Sequence, residues 1–118
     1  MRKRILTAAI IVMGMPAFAD PPVVENVKVV KRGDSWTFDV TISHEDTGWA
    51  NYADGWRIVD PNGKELGLRN LVHPHELEQP FTRSLSNVKI PDHLTEVGVQ
   101  TRDTVGGWYP TITRVKIR

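Results

Sequence analysis

The 118-residue sequence contains no cysteine. Disulfide bonds, thiolate metal ligands and thiol nucleophiles are therefore excluded, and the fold must be stabilised by apolar packing. The chain also lacks an excess of positive charge. Once the leader described below is removed, twelve Lys and Arg residues remain against fourteen Asp and Glu residues. Nucleic acid and anionic lipid are poor partners for such a surface, because both require concentrated positive charge.

No hydrophobic run is long enough to span a bilayer, which takes about 20 residues. Residues 1–19 instead have the three parts of a signal peptide: the basic residues Arg2, Lys3 and Arg4, an apolar segment at 5–15, and small residues at Ala17 and Ala19. We expect cleavage before Asp20 and, since no cysteine follows, no lipid anchor. The mature chain, residues 20–118, is long enough for one domain. We expect it to be exported, most plausibly to a bacterial periplasm, with no membrane insertion.

No window of the mature sequence has the 3.6-residue period of an amphipathic helix. The clearest pattern is the period of two in residues 35–43, where Trp36, Phe38, Val40 and Ile42 alternate with polar residues. Six further short segments, separated by turn signals such as Pro61-Asn62-Gly63, also read as strands. The sequence therefore predicts an immunoglobulin-like or fibronectin-III-like antiparallel β-sandwich of about seven strands, with Trp36 and Trp56 in the core.

Alternate connections of such a sandwich meet at one end. The connections after strands two, four and six are residues 44–55, 72–80 and 103–110. Large aromatic side chains in loops are typical of binding surfaces, although Trp49 and Trp108 could instead fold back over the core. We expect His93 at the opposite end, without a role. The predicted partner-binding residues are Trp49, Tyr52, His73, His75, Trp108 and Tyr109.

The same cluster raises the possibility of a metal site. His73 and His75 lie on either side of Pro74, and His44 could supply a third nitrogen, with Glu76, Glu78 or Asp103 adding an oxygen. Nitrogen and oxygen donors without sulfur suit copper or zinc. The alternative is that these histidines are merely solvated. Metal binding through His44, His73 and His75 therefore stays open as a second function.

Catalytic motifs are absent from the sequence. It has no Gly-x-Ser-x-Gly elbow and no phosphate-binding glycine loop, and the glycines of "DTVGG" are those of a hairpin turn. Paired acids such as Glu76 and Glu78 are common in polar loops. We therefore expect a protein that is not an enzyme and needs no cofactor, unless it binds copper or zinc.

Two segments resemble a known family. "TISHEDTG", residues 41–48, and "HPHELEQPF", residues 73–81, are similar to segments of SoxZ, the small immunoglobulin-like subunit of the sulfur-oxidising carrier complex. His73-Pro74 and Pro80-Phe81 match the paired motif of that family, and "TRDTVGGWYP" corresponds to the turn before its last strand. The resemblance implies a non-catalytic subunit that docks a periplasmic protein partner. Unlike SoxZ, this chain has its own signal peptide and tryptophan-rich loops, which indicates a stand-alone relative.

Overall fold

A computed structural model describes residues 20–118, and the signal peptide predicted for residues 1–19 lies outside the described residues. The part described contains no helix that could cross a membrane. It forms seven β-strands: β1 (Val23–Arg32), β2 (Ser35–Ser43), β3 (Ala53–Val59), β4 (Glu65–Asn70), β5 (Phe81–Val88), β6 (Glu96–Asp103) and β7 (Gly107–Lys116).

The strands form two antiparallel sheets. One has the order β1-β2-β5 and the other the order β4-β3-β6-β7. The connections β2–β3 and β4–β5 therefore pass from one sheet to the other, and both lie at the same end as the β6–β7 hairpin. The predicted all-β sandwich is confirmed.

The core lies between the two sheets and follows the alternation of β2. Phe38, Val40 and Ile42 are completely buried, while the polar residues between them are half-buried on the other face. The facing sheet contributes Ile58 and, on β6, further buried valines. Both tryptophans predicted for the core are there: Trp36 is 6% exposed and Trp56 is 0% exposed.

The β6–β7 connection is shorter than the sequence predicts. Gly107, with φ of 73°, allows a tight turn, so Asp103 pairs with Gly107 and Arg102 with Trp108. Trp108 and Tyr109 therefore belong to strand β7 and not to a loop. The prediction of a long loop was wrong because a glycine that accepts positive φ lets the two strands continue pairing almost to the tip.

Candidate functional site

A buried histidine lies at the centre of the end where the three connections meet. The Nδ1 atom of His44 contacts Oδ1 of Asp46, and its Nε2 atom lies 3.1 Å from Oδ2 of Asp103. The side chain of His44 is 2% exposed and those of both aspartates are 0% exposed. Each ring nitrogen of His44 therefore lies against a carboxyl oxygen, and the buried side chain joins the ends of β2 and β6.

The carboxyl oxygens of both aspartates also accept hydrogen bonds from neighbouring groups. Oδ1 of Asp103 accepts the backbone N–H groups of Val105 (3.0 Å) and Gly106 (2.7 Å), and its Oδ2 accepts the hydroxyl of Tyr109 (2.8 Å). Burial, together with the hydrogen bond to Asp103, raises the pKa of Tyr109 to about 12, which keeps the phenol protonated as a donor. The hydrogen bonds compensate the desolvation of the buried carboxylates.

Asp46 connects its own loop to the β4–β5 connection. Its Oδ2 accepts the backbone N–H of His75 at 2.7 Å, and its Oδ1 accepts that of Ala53 at 3.1 Å. Gln79 adds a second link, because its side chain accepts the N–H of His44 (2.9 Å) and donates to the carbonyl of His75 (3.0 Å). The buried network therefore fixes all three connections relative to one another.

His75 is also buried, with 3% of its side chain exposed. Its ring stacks on Phe81 at a centroid distance of 3.8 Å and lies 4.5 Å from the ring of His73. Nε2 lies 2.8 Å from Nη2 of Arg83 and must accept that hydrogen bond, so Nδ1 carries the proton. Burial, followed by the positive charge of Arg83, lowers the pKa of His75 and keeps the ring neutral.

The three histidines predicted as metal ligands do not form a ligand set. Asp20–Arg118 contains no group of three or more His, Cys, Asp or Glu side chains that could hold a metal ion. His44 and His75 both lie next to Asp46, but the two nitrogens of His44 are bonded to carboxylates and Nε2 of His75 is bonded to Arg83. His73 is exposed, and its Nδ1 donates to the carbonyl of Pro74. His93 lies in the β5–β6 connection, at the opposite end as expected.

The predicted aromatic residues separate into two groups. Trp49 is 69% exposed and packs edge-on against Tyr52 at a centroid distance of 5.7 Å, so it does not cover the core. Trp108 is half-buried on the outer face of the four-stranded sheet, with the guanidinium groups of Arg57 and Arg102 at 4.2 Å and 5.3 Å from its ring. Trp108 and Tyr109 thus make their contacts within the fold, Trp108 with the two arginines and Tyr109 with Asp103. Trp49 is exposed to solvent.

Other exposed apolar side chains lie on the same three connections as Trp49. Six large hydrophobic residues are exposed within Asp20–Arg118, and four of them lie on the three connections: Trp49, Val72, Leu77 and Val105. Leu77 is completely exposed. Trp49 and residues 73–78 line an open concavity of about 540 Å³. We call this end of the sandwich, residues 44–52, 71–80 and 104–106, the loop end.

Sequence reasoning did not find the internal contacts of the loop end. It placed Asp103 in the cluster as a possible metal ligand, but it did not predict that Asp46 and Asp103 bind His44. Two local signals were present: Asp46 follows His44 by two positions, and Asp103 precedes a glycine turn, where an Asp side chain commonly accepts backbone N–H groups. Arg83 and Phe81, which hold His75, gave no such signal because they lie in a strand.

Comparisons with known proteins are sparse. No family model and no solved structure matches the chain. A curated protein of Halomicrobium mukohataei, named "Putative lipoprotein", is similar to it, with 38% identity over 76 residues. The similar region covers 64% of this chain and 37% of that relative, so the chain spans just over a third of the length of the relative it matches.

Proposed function

We propose that this protein is an exported, non-enzymatic binding module that uses its loop end to dock a protein partner in the periplasm. The observation that carries the proposal is the position of the exposed apolar side chains, since four of the six in Asp20–Arg118 lie on the three connections. Exposed apolar side chains concentrated at one end of a protein are typical of interaction sites, and Trp49 and Leu77 line the same concavity.

The buried polar network supports this function. Asp46, His44 and Asp103 link the three connections through side chains that are at most 2% exposed. Loops that are held in place before binding lose little conformational entropy when a partner docks. The network thus presents Trp49 and Leu77 on a preorganised surface.

The same burial supports a non-catalytic role. In the set formed by His44, Asp46 and Asp103, every carboxylate oxygen and ring nitrogen is already hydrogen-bonded within the protein. His75 lies 3.9 Å from Glu78, but its Nε2 is bonded to Arg83. A general acid or base must reach the proton of a substrate, which a fully bonded buried group does not do.

Export is supported by two independent features. The leader predicted at residues 1–19 has the three parts of a signal peptide. The similar archaeal protein is named a lipoprotein, a class that resides outside the cytoplasm. The resemblance of "TISHEDTG" and "HPHELEQPF" to SoxZ further supports a protein, and not a small molecule, as the docked partner.

Photochemical cross-linking tests this proposal. A photoreactive phenylalanine analogue is placed at position 49 or 77 of the exported chain, and at position 64 in the β3–β4 turn of the opposite end as a matched control. We expect one defined protein to be cross-linked from 49 and 77 and not from 64. Excess unlabelled protein should compete, whereas excess Trp49→Ala/Leu77→Ser should not. Equal capture from position 64, or no capture from the loop end, would refute docking through this surface.

A further inference from the structure

The loop end carries negative charge without any compensating Lys or Arg of its own. Residues 44–52, 71–80 and 104–106 contain four carboxylates and no Lys or Arg. Glu45 and Glu76 are exposed, and neither forms an ion pair in the part of the chain that the structure describes. Glu78 lies 3.6 Å from Arg83, which comes from strand β5. A docked partner therefore meets uncompensated negative charge.

Glu76 stands between the two concavities of the loop end. One is lined by Trp49 and residues 73–78, and the other, of about 410 Å³, is lined by residues that include Glu45 and Glu76. An Oε atom of Glu76 lies 3.9 Å from the position that a Cβ on Gly48 would occupy, so the carboxylate lies against the backbone that precedes Trp49. An open indole ring beside an unpaired carboxylate is a favourable site for an organic cation.

The protein already uses this pairing elsewhere. On the outer face of the four-stranded sheet, the guanidinium of Arg102 lies over Trp108 at 5.3 Å while its Nε donates to Asp54 at 3.0 Å. At the loop end, Trp49 and Glu76 offer the aromatic face and the carboxylate, and the cation is the missing third group. His75 has a buried Nδ1–H at the same concavity without an acceptor within Asp20–Arg118, and as a donor it would pair with a carbonyl oxygen of a docked segment and not with the cation.

We propose that the docked partner segment is cationic and amphipathic, with a Lys or Arg side chain over Trp49 and its charge directed to Glu76 and Glu45. An apolar side chain of the same segment covers Leu77. The inference rests on the proposed docking function and specifies the chemistry of the partner. It excludes acidic segments, which the exposed carboxylates of Glu45 and Glu76 would repel.

A second copy of this chain is the other occupant that the experiments below must distinguish. Some cations of the opposite end are engaged within the fold, since Lys89 lies 3.1 Å from Asp34 and Arg114 lies 3.8 Å from Glu96, whereas Lys64 and Lys116 form no ion pair within Asp20–Arg118. Arg118 donates to the backbone carbonyls of Leu94 and Pro91, both at 2.7 Å. A partner with free Lys or Arg side chains pairs with the loop end without first breaking such contacts.

Selection from a library of short random peptides tests the inference on the mature chain. Peptides retained by the wild-type protein and released by Trp49→Ala/Leu77→Ser are sequenced, and the affinity of the commonest one is measured. We expect Lys or Arg, flanked by apolar residues, to be enriched among the retained peptides. Replacing the Arg of the best peptide with citrulline, which has the same shape without the charge, should weaken binding about fivefold to tenfold.

Charge-matched variants locate the effect. Glu45→Gln/Glu76→Gln should weaken the arginine peptide about fivefold to tenfold and leave the citrulline peptide unchanged. Glu65→Gln/Glu96→Gln also removes two negative charges, but away from the loop end, and should change neither affinity. Retained peptides that are acidic or unbiased in charge, or no retained peptides at all, would overturn the inference.

The two proposals fail in different ways. If cross-linking from positions 49 and 77 succeeds but the peptides show no preference for cations, docking stands and the cationic partner is refuted. If cross-linking also fails, the docking function is refuted with it. Concentration-dependent cross-linking of the chain to itself from position 49 would identify a second copy as the occupant, and would also overturn the cationic partner.

Discussion

At the scale of single residues, the loop end depends on one buried histidine between two carboxyl groups. Buried polar and charged groups cost free energy unless they are hydrogen-bonded, and His44, Asp46 and Asp103 meet this condition through one another. Removing one partner leaves the other groups buried and uncompensated. Substitutions here should therefore destabilise the whole fold and not only the surface.

Asp103→Asn tests this dependence. The amide retains the size of the side chain but removes the negative charge opposite Nε2 of His44 and weakens the acceptor of the Tyr109 hydroxyl. We expect the free energy of unfolding to fall by about 3 kcal/mol, measured by urea titration. Asp92→Asn is the control, because Asp92 is exposed at the opposite end and forms no ion pair within Asp20–Arg118, and its unfolding midpoint should match the wild type. An unchanged midpoint for Asp103→Asn would show that the buried pair adds no stability.

His75 makes stability depend on pH. Burial and the charge of Arg83 lower its pKa in the folded state, with His73 acting in the same direction and Glu78 and Asp46 opposing it. The unfolded chain therefore takes up a proton near the ordinary value of about 6.5 while the folded chain does not. The contribution of His75 to stability is present above that pH and is lost as the pH falls through 6.5 toward the lower folded pKa.

His75→Phe removes this titration and keeps a ring that can stack on Phe81. We measure the difference in the free energy of unfolding, wild type minus His75→Phe. We expect this difference to fall as the pH is lowered from 7.5 to 5. Urea titrations of both proteins at several pH values measure the difference. A constant difference across this range would show that His75 does not titrate differently in the folded and unfolded states.

At the scale of elements, strand β7 determines which tryptophan is available for binding. Pairing of Arg102 with Trp108 places the indole on the outer face of the sheet, where Arg57 and Arg102 enclose it. Trp49, in the β2–β3 connection, is 69% exposed. Trp108 is therefore held within the fold, whereas Trp49 is exposed, and we propose that Trp49 contacts the partner.

Alanine substitutions should separate these two roles. Trp108→Ala removes two cation–π contacts and the burial of the ring, so we expect a loss of about 1–2 kcal/mol in the free energy of unfolding. Capture of the partner from position 77 should be unchanged. Trp49→Ala should leave the free energy of unfolding unchanged and abolish capture of the partner. Equal effects of both substitutions on capture would indicate that the binding surface extends onto the four-stranded sheet.

At the scale of the whole molecule, convergence of three connections decides what the histidines can do. Asp46 contacts the ring of His44 through one oxygen and the backbone N–H of His75 through the other, while Arg83 contacts Nε2 of His75. Copper or zinc bound by His44 or by Nε2 of His75 would have to displace a carboxylate or a guanidinium. The fold therefore favours a structural use of the histidine cluster.

Calorimetric titration with copper and with zinc examines this consequence on the intact mature chain. We expect weak binding without a defined stoichiometry, equal in the wild type and in His73→Ala/His75→Ala, because only one of the two replaced histidines, His73, is exposed. One ion bound per chain with micromolar affinity or tighter, and lost in the double variant, would make "HPH" a ligand pair and the protein a metal-binding one.

The sequence by itself determined the fold class and the convergence of the loops, because both follow from local information. The alternation in β2 identifies a half-buried strand, turn residues separate the strands, and antiparallel pairing sends alternate connections to one end. Tertiary structure alone decided the state of each side chain there. His44 contacts Asp103, which lies 59 residues away in the sequence. Trp108, and not Trp49, packs against two arginines from other strands. Contacts between residues so distant in sequence leave no periodic signal, so burial and charge pairing at the loop end emerge only when the two sheets pack.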